Sequence, residues 1–193
     1  MNLDAVITFF DRRAAAWDMQ RQPDEQTVER ILSAADVRPG DSILDVACGT
    51  GVLLPYYLQR NVSRITGVDI SQSMIAEASR KFSDPRIRLV CADAQAETFA
   101  PHDKCVVFNA LPHFPEPRTL ICSLKNSVRP GGRLTVAHGE NRQTINERHV
   151  ARAIEVSHTL MPGADLAELF TPHFRVDRIV DNECYYLVSG VRI

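Results

Sequence analysis

The feature that most constrains the fold is a regular alternation of short apolar runs and helical segments between residues 42 and 137. The apolar runs have the length of buried strands. They lie at 42–47, 65–68, 87–91, 105–108 and 133–137. Apolar residues recur at helical spacing between them, at about 52–60, from 71 onward and at 119–128. Such alternation is typical of a parallel sheet that is covered by helices on both faces.

Two further strand-like runs near the C-terminus, 174–180 and 184–191, are separated only by Asp181, Asn182 and Glu183. A connection that short can join antiparallel strands but cannot make a parallel crossover. We therefore predict an α/β fold with a seven-stranded, mostly parallel sheet and a C-terminal antiparallel hairpin. No repeat or long linker interrupts the chain, so residues 1–193 are interpreted as one domain.

Composition gives no reason to expect a nucleic acid or a membrane as partner. The net charge is −2 at pH 7, and 45% of the residues are hydrophobic, which is enough for an ordinary core. No apolar run approaches the ~20 residues that span a bilayer, and Asp4 stands where a signal peptide would be basic. The five cysteines are scattered without a CxxC pair, which argues against disulfides and a zinc site. We expect a cytoplasmic protein without a resident metal.

The most informative segment is the glycine-rich turn after the first strand, Asp45-Val46-Ala47-Cys48-Gly49-Thr50-Gly51. It lies where open α/β sheets bind ligands, at the carboxyl end of a strand. Asp69 ends the second strand and can accept hydrogen bonds from both hydroxyls of a ribose. These features fit either a dinucleotide or S-adenosylmethionine. Leu54 occupies the third glycine position of the dinucleotide fingerprint, and the Asp45 carboxylate suits a cationic cofactor, so the charge argument favours S-adenosylmethionine.

On these motifs the chain resembles the class I (Rossmann-like) S-adenosylmethionine-dependent methyltransferases. The resemblance covers residues 40–137 in order, and the C-terminal hairpin agrees with the seven-stranded sheet of that family. ILDVACGTG resembles the family's first motif, GVDIS its second, Ala92-Asp93-Ala94 its strand-three acid and VRPGGRL its turn into strand five.

The resemblance implies a role for each matching residue. Asp45 and Gly49 would hold the methionine part of the cofactor, and Asp69 would hold the ribose. Asp93 would bind the adenine amino group, with Met74 and Ile70 beside the ring. The remaining predicted cofactor contacts are Ala47, Cys48, Gly51, Ala94 and Asn109. N-terminal helices within residues 1–36, which include Phe9, Phe10 and Trp17, would cover the cofactor.

The segment after the fourth strand points to a small acceptor. Family members that methylate nucleobase amines carry Asn/Asp-Pro-Pro-aromatic here, and Asn109-Ala110-Leu111-Pro112 departs from that pattern. The segment instead resembles the small-molecule branch, in which a histidine often follows strand four. His113 is therefore the candidate general base or substrate contact.

A polar segment after the fifth strand, 138–170, resembles the insertion that methyltransferases use as a lid over the substrate. If it is helical, Arg142, Asn146 and His149 share one face, with Val150, Ile154 and Met161 on a neighbouring apolar stripe. Together with His113, the predicted substrate-side residues are His138, Arg142, Asn146, His149 and His158. No two of the four histidines have the spacing of a preformed metal-ligand pair.

The leading hypothesis is methyl transfer to a small molecule by direct displacement, with S-adenosylhomocysteine as product. The alternative is a catalytically silent S-adenosylmethionine-binding module with a regulatory or structural role. A nicotinamide-dependent oxidoreductase is disfavoured by Leu54. A homodimer stays open, because the apolar stretch 174–191 suits either a sheet interior or a subunit contact.

Overall fold

A computed structural model describes residues 1–19, 23–153 and 155–193. Ile154, which the sequence places on the apolar stripe of the lid, lies outside the described residues. The strands are β1 (Ser42–Val46), β2 (Arg64–Asp69), β3 (Ile87–Cys91), β4 (His102–Phe108), β5 (Val128–His138), β6 (Phe174–Asp181) and β7 (Tyr186–Arg192). The α-helices of the described residues are α1 (Leu3–Asp11), α2 (Glu25–Ala34), α3 (Leu54–Gln59), α4 (Gln72–Lys81), α5 (Pro117–Leu124), α6 (Arg142–Arg152) and α7 (Gly163–Phe170).

The strands form a seven-stranded sheet in the order β3-β2-β1-β4-β5-β7-β6. Pairing is parallel from β3 to β5 and antiparallel where β7 joins β5 and β6. This confirms the predicted sheet and hairpin. Successive strands are added on one side of β1 up to β3 and on the other side from β4 onward. This reversal of the strand order between β1 and β4 opens a crevice at the carboxyl ends of the two strands.

Side chains that alternate along each strand divide the hydrophobic core between the two faces of the sheet. Leu44 and Val46 of β1 belong to the core cluster packed by α5 and α7, whereas Ile43 belongs to the cluster packed by α2 and α3. All five residues of β1 are buried. The strand at the centre of the sheet is therefore covered on both faces, and only its carboxyl end can reach a ligand.

Strand β5 begins five residues earlier than the apolar run predicted. It starts at Val128, which pairs with His102 of β4, and the register then shifts before Lys104. Gly132 lies in this irregular stretch. A Cβ atom added there would lie 2.8 Å from both the Arg129 and the Asp103 carbonyl oxygens, which are backbone atoms and cannot move aside cheaply.

We therefore expect Gly132→Ala to destabilise the protein by about 2–3 kcal/mol, since an overpacked methyl group must displace backbone. Gly131→Ala is the matched control. Gly131 has a φ of +75° but nothing within 4 Å of the added Cβ, so it should lose only about 1 kcal/mol to backbone strain. Urea unfolding of the two variants measures the difference, and equal losses would contradict the steric argument.

The N-terminal segment is held across the carboxyl edge of the sheet by two carboxylates. Asp11 accepts hydrogen bonds from Ser71 Oγ at 2.5 Å and from the Ser73 backbone N–H at 3.1 Å. Asp18, in a 3-10 turn at Ala14–Met19, accepts from Thr50 Oγ at 2.6 Å and pairs with Lys81 at 2.7 Å. The segment thus contacts the loops that follow β1 and β2. None of the described helices is long and apolar enough to cross a membrane.

Candidate functional site

A cavity of about 650 Å³ opens at the carboxyl edge of the sheet, where the strand order reverses. The N-terminal segment closes it from above through Val6, Phe9, Phe10 and Trp17, and α6 forms a side wall. Residues that end β2 and β5 both line the cavity, and these strands lie three positions apart in the sheet. At ~4.8 Å between neighbouring strands, the cavity extends over roughly 14 Å.

Twelve of the predicted site residues line this cavity. They are Ala47, Cys48, Gly49, Asp69, Ile70, Met74, Asp93, Ala94, Asn109, His113, His138 and His149. Five others do not line it: Asp45, Gly51, Arg142, Asn146 and His158.

In the turn after β1, three alternate residues have a left-handed backbone conformation. Ala47 has a φ of +55°, Gly49 of +55° and Gly51 of +88°. A Cβ atom on Gly49 would meet nothing within 4 Å, so this glycine presents bare backbone to open space in the cavity. Gly51 instead faces the protein, since a Cβ there would lie 2.7 Å from the Leu54 side chain. Of the two glycines, only Gly49 lines the cavity, and the cofactor contact predicted for Gly51 stays a prediction.

Asp69 connects the ends of β1 and β2. Its Oδ2 atom accepts a hydrogen bond from the Gly49 backbone N–H at 2.8 Å, and its Oδ1 atom accepts from Ser71 N–H at 2.9 Å. Burial raises the pKa of this carboxyl, and the backbone donors of Ser71, Gly49 and Ile70 oppose that rise. Each carboxylate oxygen can accept a second hydrogen bond. The geometry leaves the side chain able to accept two donors from a ligand.

Asp45 does not reach the cavity. It belongs to the fully buried β1 and is 2% exposed. Burial, with the nearby Asp69 carboxylate, raises the pKa of Asp45 to about 8. The side chain does not line the cavity, so the contact with a methionine moiety that the motif implied stays a prediction.

The raised pKa predicts that Asp45→Asn gains stability relative to the wild type as pH rises. Asp45 has a folded pKa of about 8 against 3.8 unfolded, so the folded protein alone keeps the proton between these values. Wild-type stability from this group is present below pH 4 and lost as pH rises through 8. We expect a variant advantage of at least about 1 kcal/mol at pH 8 and none at pH 3.5.

Urea unfolding across this pH range measures the difference between the two proteins. The matched control is Asp84→Asn, because the half-buried Asp84 pairs with Arg86, which lowers the pKa of Asp84 to about 2. That variant should show no growing advantage between pH 4 and 8. An Asp45→Asn advantage that is constant with pH would contradict a buried, protonated carboxyl.

Strands β2 and β3 line their end of the cavity with apolar groups and one acid. Met74 and Ala94 are buried, and Ile70 is half-buried, directly after Asp69. Asp93 accepts a hydrogen bond from the Gln95 backbone N–H at 2.8 Å through one oxygen. Apolar side chains beside a carboxylate suit a heterocycle that carries an amino group.

Asn109, at the end of β4, is another left-handed residue, with a φ of +53°. Its side-chain oxygen accepts a hydrogen bond from Gly139 N–H at 2.9 Å. Asparagine tolerates this backbone conformation better than most residues. The hydrogen bond between Asn109 and Gly139 joins the ends of β4 and β5 at the middle of the cavity.

His113 has a defined tautomer. Its Nδ1 atom lies 2.8 Å from the Val156 carbonyl oxygen, so Nδ1 carries the proton and Nε2 carries the lone pair. Burial lowers the pKa of the ring below 6.5, which keeps it neutral near pH 7. Phe10 packs edge-on against the ring, with centroids 5.0 Å apart. This is the arrangement of a side chain that can accept a proton at Nε2.

Two more histidines share the same end of the cavity. The His138 Nε2 and His149 Nδ1 atoms are buried and have no hydrogen-bond partner among the described residues. The His149 ring lies 5.1 Å from the His113 ring. Burial and neighbouring positive groups lower the pKa of His138 to about 3 and that of His149 to about 4.

The face of α6 that lines the cavity differs from the predicted face. Ile145, Arg148 and His149 line the cavity, and Arg148 pairs with Glu140. Arg142 instead donates to Asp181 at 2.9 Å. The Asn146 side-chain amide instead donates through Nδ2 to the Leu160 carbonyl at 3.2 Å and accepts at Oδ1 from the Leu160 backbone N–H at 2.7 Å. These two side chains tie α6 to the end of β6 and to the loop before α7.

His158 also lies outside the cavity. Its side chain is exposed, and its backbone N–H donates to the Pro112 carbonyl at 2.7 Å.

The apolar stripe predicted for α6 also differs in the structure. Val150 of that stripe is 65% exposed, and the buried apolar position of the helix is Ile145. In the later part of the predicted lid, α7 packs on β6 and β7 and contributes Leu166 and Phe170 to the core.

Sequence reasoning missed Glu140 and Arg148 as cavity residues. The signal in the sequence is weak: positions 145, 148 and 149 have the i, i+3, i+4 spacing of a helix face, but Arg142, Asn146 and His149, at i, i+4 and i+7, also share one face. Within the described residues, no group of three or more histidine, cysteine, aspartate or glutamate side chains could hold a metal ion.

Residues 43–132 match the family model described as a methyltransferase domain. An uncharacterized 37.1 kDa protein in transposon TN4556 from Streptomyces fradiae is 32% identical over 161 residues, covering 79% of this chain and 41% of that protein. Demethylmenaquinone methyltransferase from Paenarthrobacter aurescens is 29% identical over 141 residues, covering 69% of this chain and 54% of that protein. The chain thus spans about half the length of these relatives.

Among solved structures, the N-methyltransferase NodS from Bradyrhizobium japonicum, in complex with S-adenosyl-L-homocysteine, has the same fold. Its TM-score is 0.74 at 17% sequence identity, and the match covers 97% of this chain and 98% of that one. The likeness shows that the arrangement of strands and helices is shared from end to end.

Proposed function

This chain belongs to the class I S-adenosylmethionine-dependent methyltransferases, and we propose that it transfers a methyl group from S-adenosylmethionine to a small polar molecule by direct displacement. One observation carries the proposal. A single cavity joins the Asp69 and Asp93 carboxylates near one end to His113 and His138 near the other. A volume of about 650 Å³ lies in the range of ligand-binding pockets in proteins.

The residues at the β2 end fit the cofactor. Bare backbone at Gly49 leaves room for the methionine part, and Asp69 has acceptor capacity for the ribose hydroxyls. Met74, Ile70 and Ala94 would pack on the adenine, and Asp93 would accept from its amino group. NodS, with the same fold, binds S-adenosyl-L-homocysteine, which supports the assignment. Asp45 would act from beneath, as support for the turn.

The chain's own contribution to the reaction is alignment, exclusion of water and removal of a proton. S-adenosylmethionine, when bound, supplies a methyl group on a positively charged sulfur that leaves as S-adenosylhomocysteine. The N-terminal segment and α6 would close the cavity over the reacting atoms. His113 would take the acceptor's proton at Nε2, while its Nδ1–H stays on the Val156 carbonyl and keeps the ring oriented.

The walls of the cavity support a small acceptor. The walls at the His113 end come from the N-terminal segment and from α6, both of which approach within ring contact of His113. We propose no nucleic acid acceptor, in line with a net charge of −2. All five cysteines are free, which supports a reducing compartment such as the cytoplasm. A homodimer stays a prediction.

The test is formation of S-adenosylhomocysteine and of a methylated product by the purified chain. Binding of S-adenosylmethionine is measured first by calorimetry, with NAD as the competing ligand. A panel of small hydroxy acids, phenols, amines and thiols is then screened by mass spectrometry. We expect micromolar cofactor binding and a methylated product from at least one acceptor class. Binding without turnover across the panel would favour the silent binding module, and no binding would contradict both.

A further inference from the structure

Two carboxylates attach the N-terminal segment, residues 1–19, to the loops that hold Asp69. The Asp11 Oδ1 atom accepts hydrogen bonds from Ser71 Oγ at 2.5 Å and from the Ser73 backbone N–H at 3.1 Å. The backbone N–H of the same Ser71 donates to Asp69 Oδ1 at 2.9 Å. Asp11 therefore binds the residue that holds one oxygen of the proposed ribose-binding carboxylate.

The second carboxylate binds beside the other oxygen of Asp69. The Asp18 Oδ1 atom accepts from Thr50 Oγ at 2.6 Å, and Asp18 Oδ2 pairs with Lys81 at 2.7 Å. Thr50 is 2% exposed and directly follows Gly49, whose backbone N–H donates to Asp69 Oδ2 at 2.8 Å. Each oxygen of Asp69 is thus held by a loop that the N-terminal segment also binds.

The contact between Asp11 and Ser71 also fixes the start of α4. Ser71 is the N-cap residue of that helix, and its Oγ atom accepts a hydrogen bond from the Met74 backbone N–H at 3.1 Å. The fully buried hydroxyl has a single proton, which it donates to Asp11. Met74 lines the cavity. Asp11 therefore orients the hydroxyl that holds both a cavity-lining turn and the residue bound to Asp69.

Both carboxylates are charged near pH 7, which strengthens their hydrogen bonds. The hydrogen bond from Ser71 lowers the pKa of Asp11 below its ordinary value of 3.8. Burial acts to raise the pKa of Asp18, but hydrogen bonds from Lys81 and Thr50 outweigh it and lower the pKa of that carboxyl. The segment is therefore attached at two points by charge-assisted hydrogen bonds.

The N-terminal segment covers the cavity from one end to the other. It reaches the Asp69 end through the two carboxylates and the His113 end through Phe10. The Phe10 ring packs edge-on against the Trp17 and His113 rings, with centroids 5.5 and 5.0 Å apart. Phe10, Arg13 and Trp17 all line the cavity. A cofactor bound along the cavity would lie beneath this segment.

We propose that Asp11 and Asp18 are positioning residues that couple closure of the N-terminal segment to cofactor binding at Asp69. The proposal rests on the proposed binding of S-adenosylmethionine and adds the step that controls cofactor exchange. With the segment closed, Ser71 and Thr50 fix the two loops that present Asp69 to the ribose. With the segment open, both loops lose a contact and bind the cofactor less tightly. Such coupling is reciprocal, so the bound cofactor also holds the segment closed.

Trp17 provides the measurement, since it is the single tryptophan of the chain and lines the cavity from within the segment. Stopped-flow fluorescence follows binding of S-adenosylhomocysteine, and the dependence of the observed rate on ligand concentration gives kon and koff. Asp11→Ala and Asp18→Ala should each raise koff about tenfold, the value of one hydrogen bond to a charged group. We expect kon to stay within about threefold of the wild-type value.

Two further variants separate the hydrogen bonds from a general effect on the segment. Asp11→Asn keeps the Oδ1 atom that accepts both hydrogen bonds and loses only the charge, so koff should return to within about threefold of the wild-type value. Asp4→Ala is the matched control, because Asp4 is an exposed carboxylate of the same segment and lies outside the cavity. This control should keep both rate constants of the wild type.

Arg12 and Arg13, which are exposed in the same segment, test the reciprocal effect. Saturating S-adenosylhomocysteine should slow trypsin cleavage after these two residues about tenfold more in the wild type than in Asp11→Ala, since the coupling is equal in both directions. Mass spectrometry of the fragments identifies the cleavage sites. A variant that is merely less stable would be cleaved faster with and without the ligand alike.

The outcomes distinguish this inference from the function on which it rests. Failure of S-adenosylhomocysteine to bind the wild type contradicts the proposed methyltransferase. Normal binding, with koff and ligand protection in Asp11→Ala and Asp18→Ala equal to the wild-type values, overturns only the coupling, as does an equal rise of koff in Asp4→Ala. Thermal unfolding without ligand establishes which variants fold, and Asp18→Ala and Asp11→Asn decide the question if Asp11→Ala does not.

Discussion

Replacing His113 by glutamine is expected to lower kcat by about 10²- to 10⁴-fold, the usual contribution of a general base. The affinity for S-adenosylmethionine should stay close to that of the wild type, because the proposed cofactor contacts come from the β1, β2 and β3 ends of the cavity. Steady-state assays with an acceptor from the screen measure kcat, and calorimetry measures cofactor affinity. His158→Gln makes the same change at an exposed position outside the cavity and should leave both values unchanged.

The pH profile adds a readout that a purely structural role would not move. Burial lowers the pKa of His113 below 6.5, so the neutral, proton-accepting form persists to more acidic pH than for a free histidine. The acid limb of the wild-type kcat profile should therefore have its midpoint below pH 6.5 and should be absent in His113→Gln. An unchanged kcat in the variant would remove His113 from the mechanism and would suit an acceptor that is already deprotonated.

Replacing Asp69 by alanine should weaken binding of S-adenosylmethionine by about 100-fold or more. The carboxylate can accept from both ribose hydroxyls, and each hydrogen bond to a charged group contributes about 1.5–3 kcal/mol. The side chain also accepts from the Gly49 and Ser71 backbone N–H groups, so its loss should loosen the turn that presents bare backbone to the cofactor. Calorimetry with the folded variant measures the effect directly.

Asp69→Asn is the companion variant, since it keeps the size of the side chain and one acceptor oxygen. It should bind the cofactor with an affinity between those of the wild type and Asp69→Ala. Asp84→Asn, at a half-buried loop position before β3 and outside the cavity, should bind like the wild type. Cofactor affinity in Asp69→Ala that equals the wild-type value would show that the ribose lies elsewhere.

Much of the fold could be predicted from the sequence, since the signals involved are local. Short apolar runs alternate with segments of helical spacing, and two C-terminal strand-like runs are joined by only three residues. These local patterns determine whether neighbouring strands are parallel or antiparallel and limit the strand order, without knowledge of distant contacts. The positions of Gly49, Asp69 and Asp93 at strand ends follow from the same pattern. Residues at the carboxyl ends of neighbouring parallel strands must meet at one edge of the sheet, so the cavity end near β2 was predictable from motif and position.

The lid segment was less predictable, because the rotation of a helix depends on what it packs against. Arg142, Asn146 and His149 fall on one helical face by spacing, yet only His149 lines the cavity. Asp181 and Leu160 engage the other two, and both partners are distant in sequence. Spacing alone cannot decide which of several polar stripes faces inward when the helix has contacts on more than one side.

The sequence by itself determined the fold class, the location of the cofactor motifs and His113 as the acceptor-side candidate, because each depends on residues close together in the chain or at strand ends. Tertiary structure alone decided that Asp45 lies beneath the turn and that Arg148 pairs with Glu140 beside the cavity. It also decided that His138 and His149 keep buried nitrogens without partners among the described residues. The physical reason is that burial, protonation and hydrogen-bond partners are set by atoms brought together from different strands and helices, and no local pattern encodes those distances.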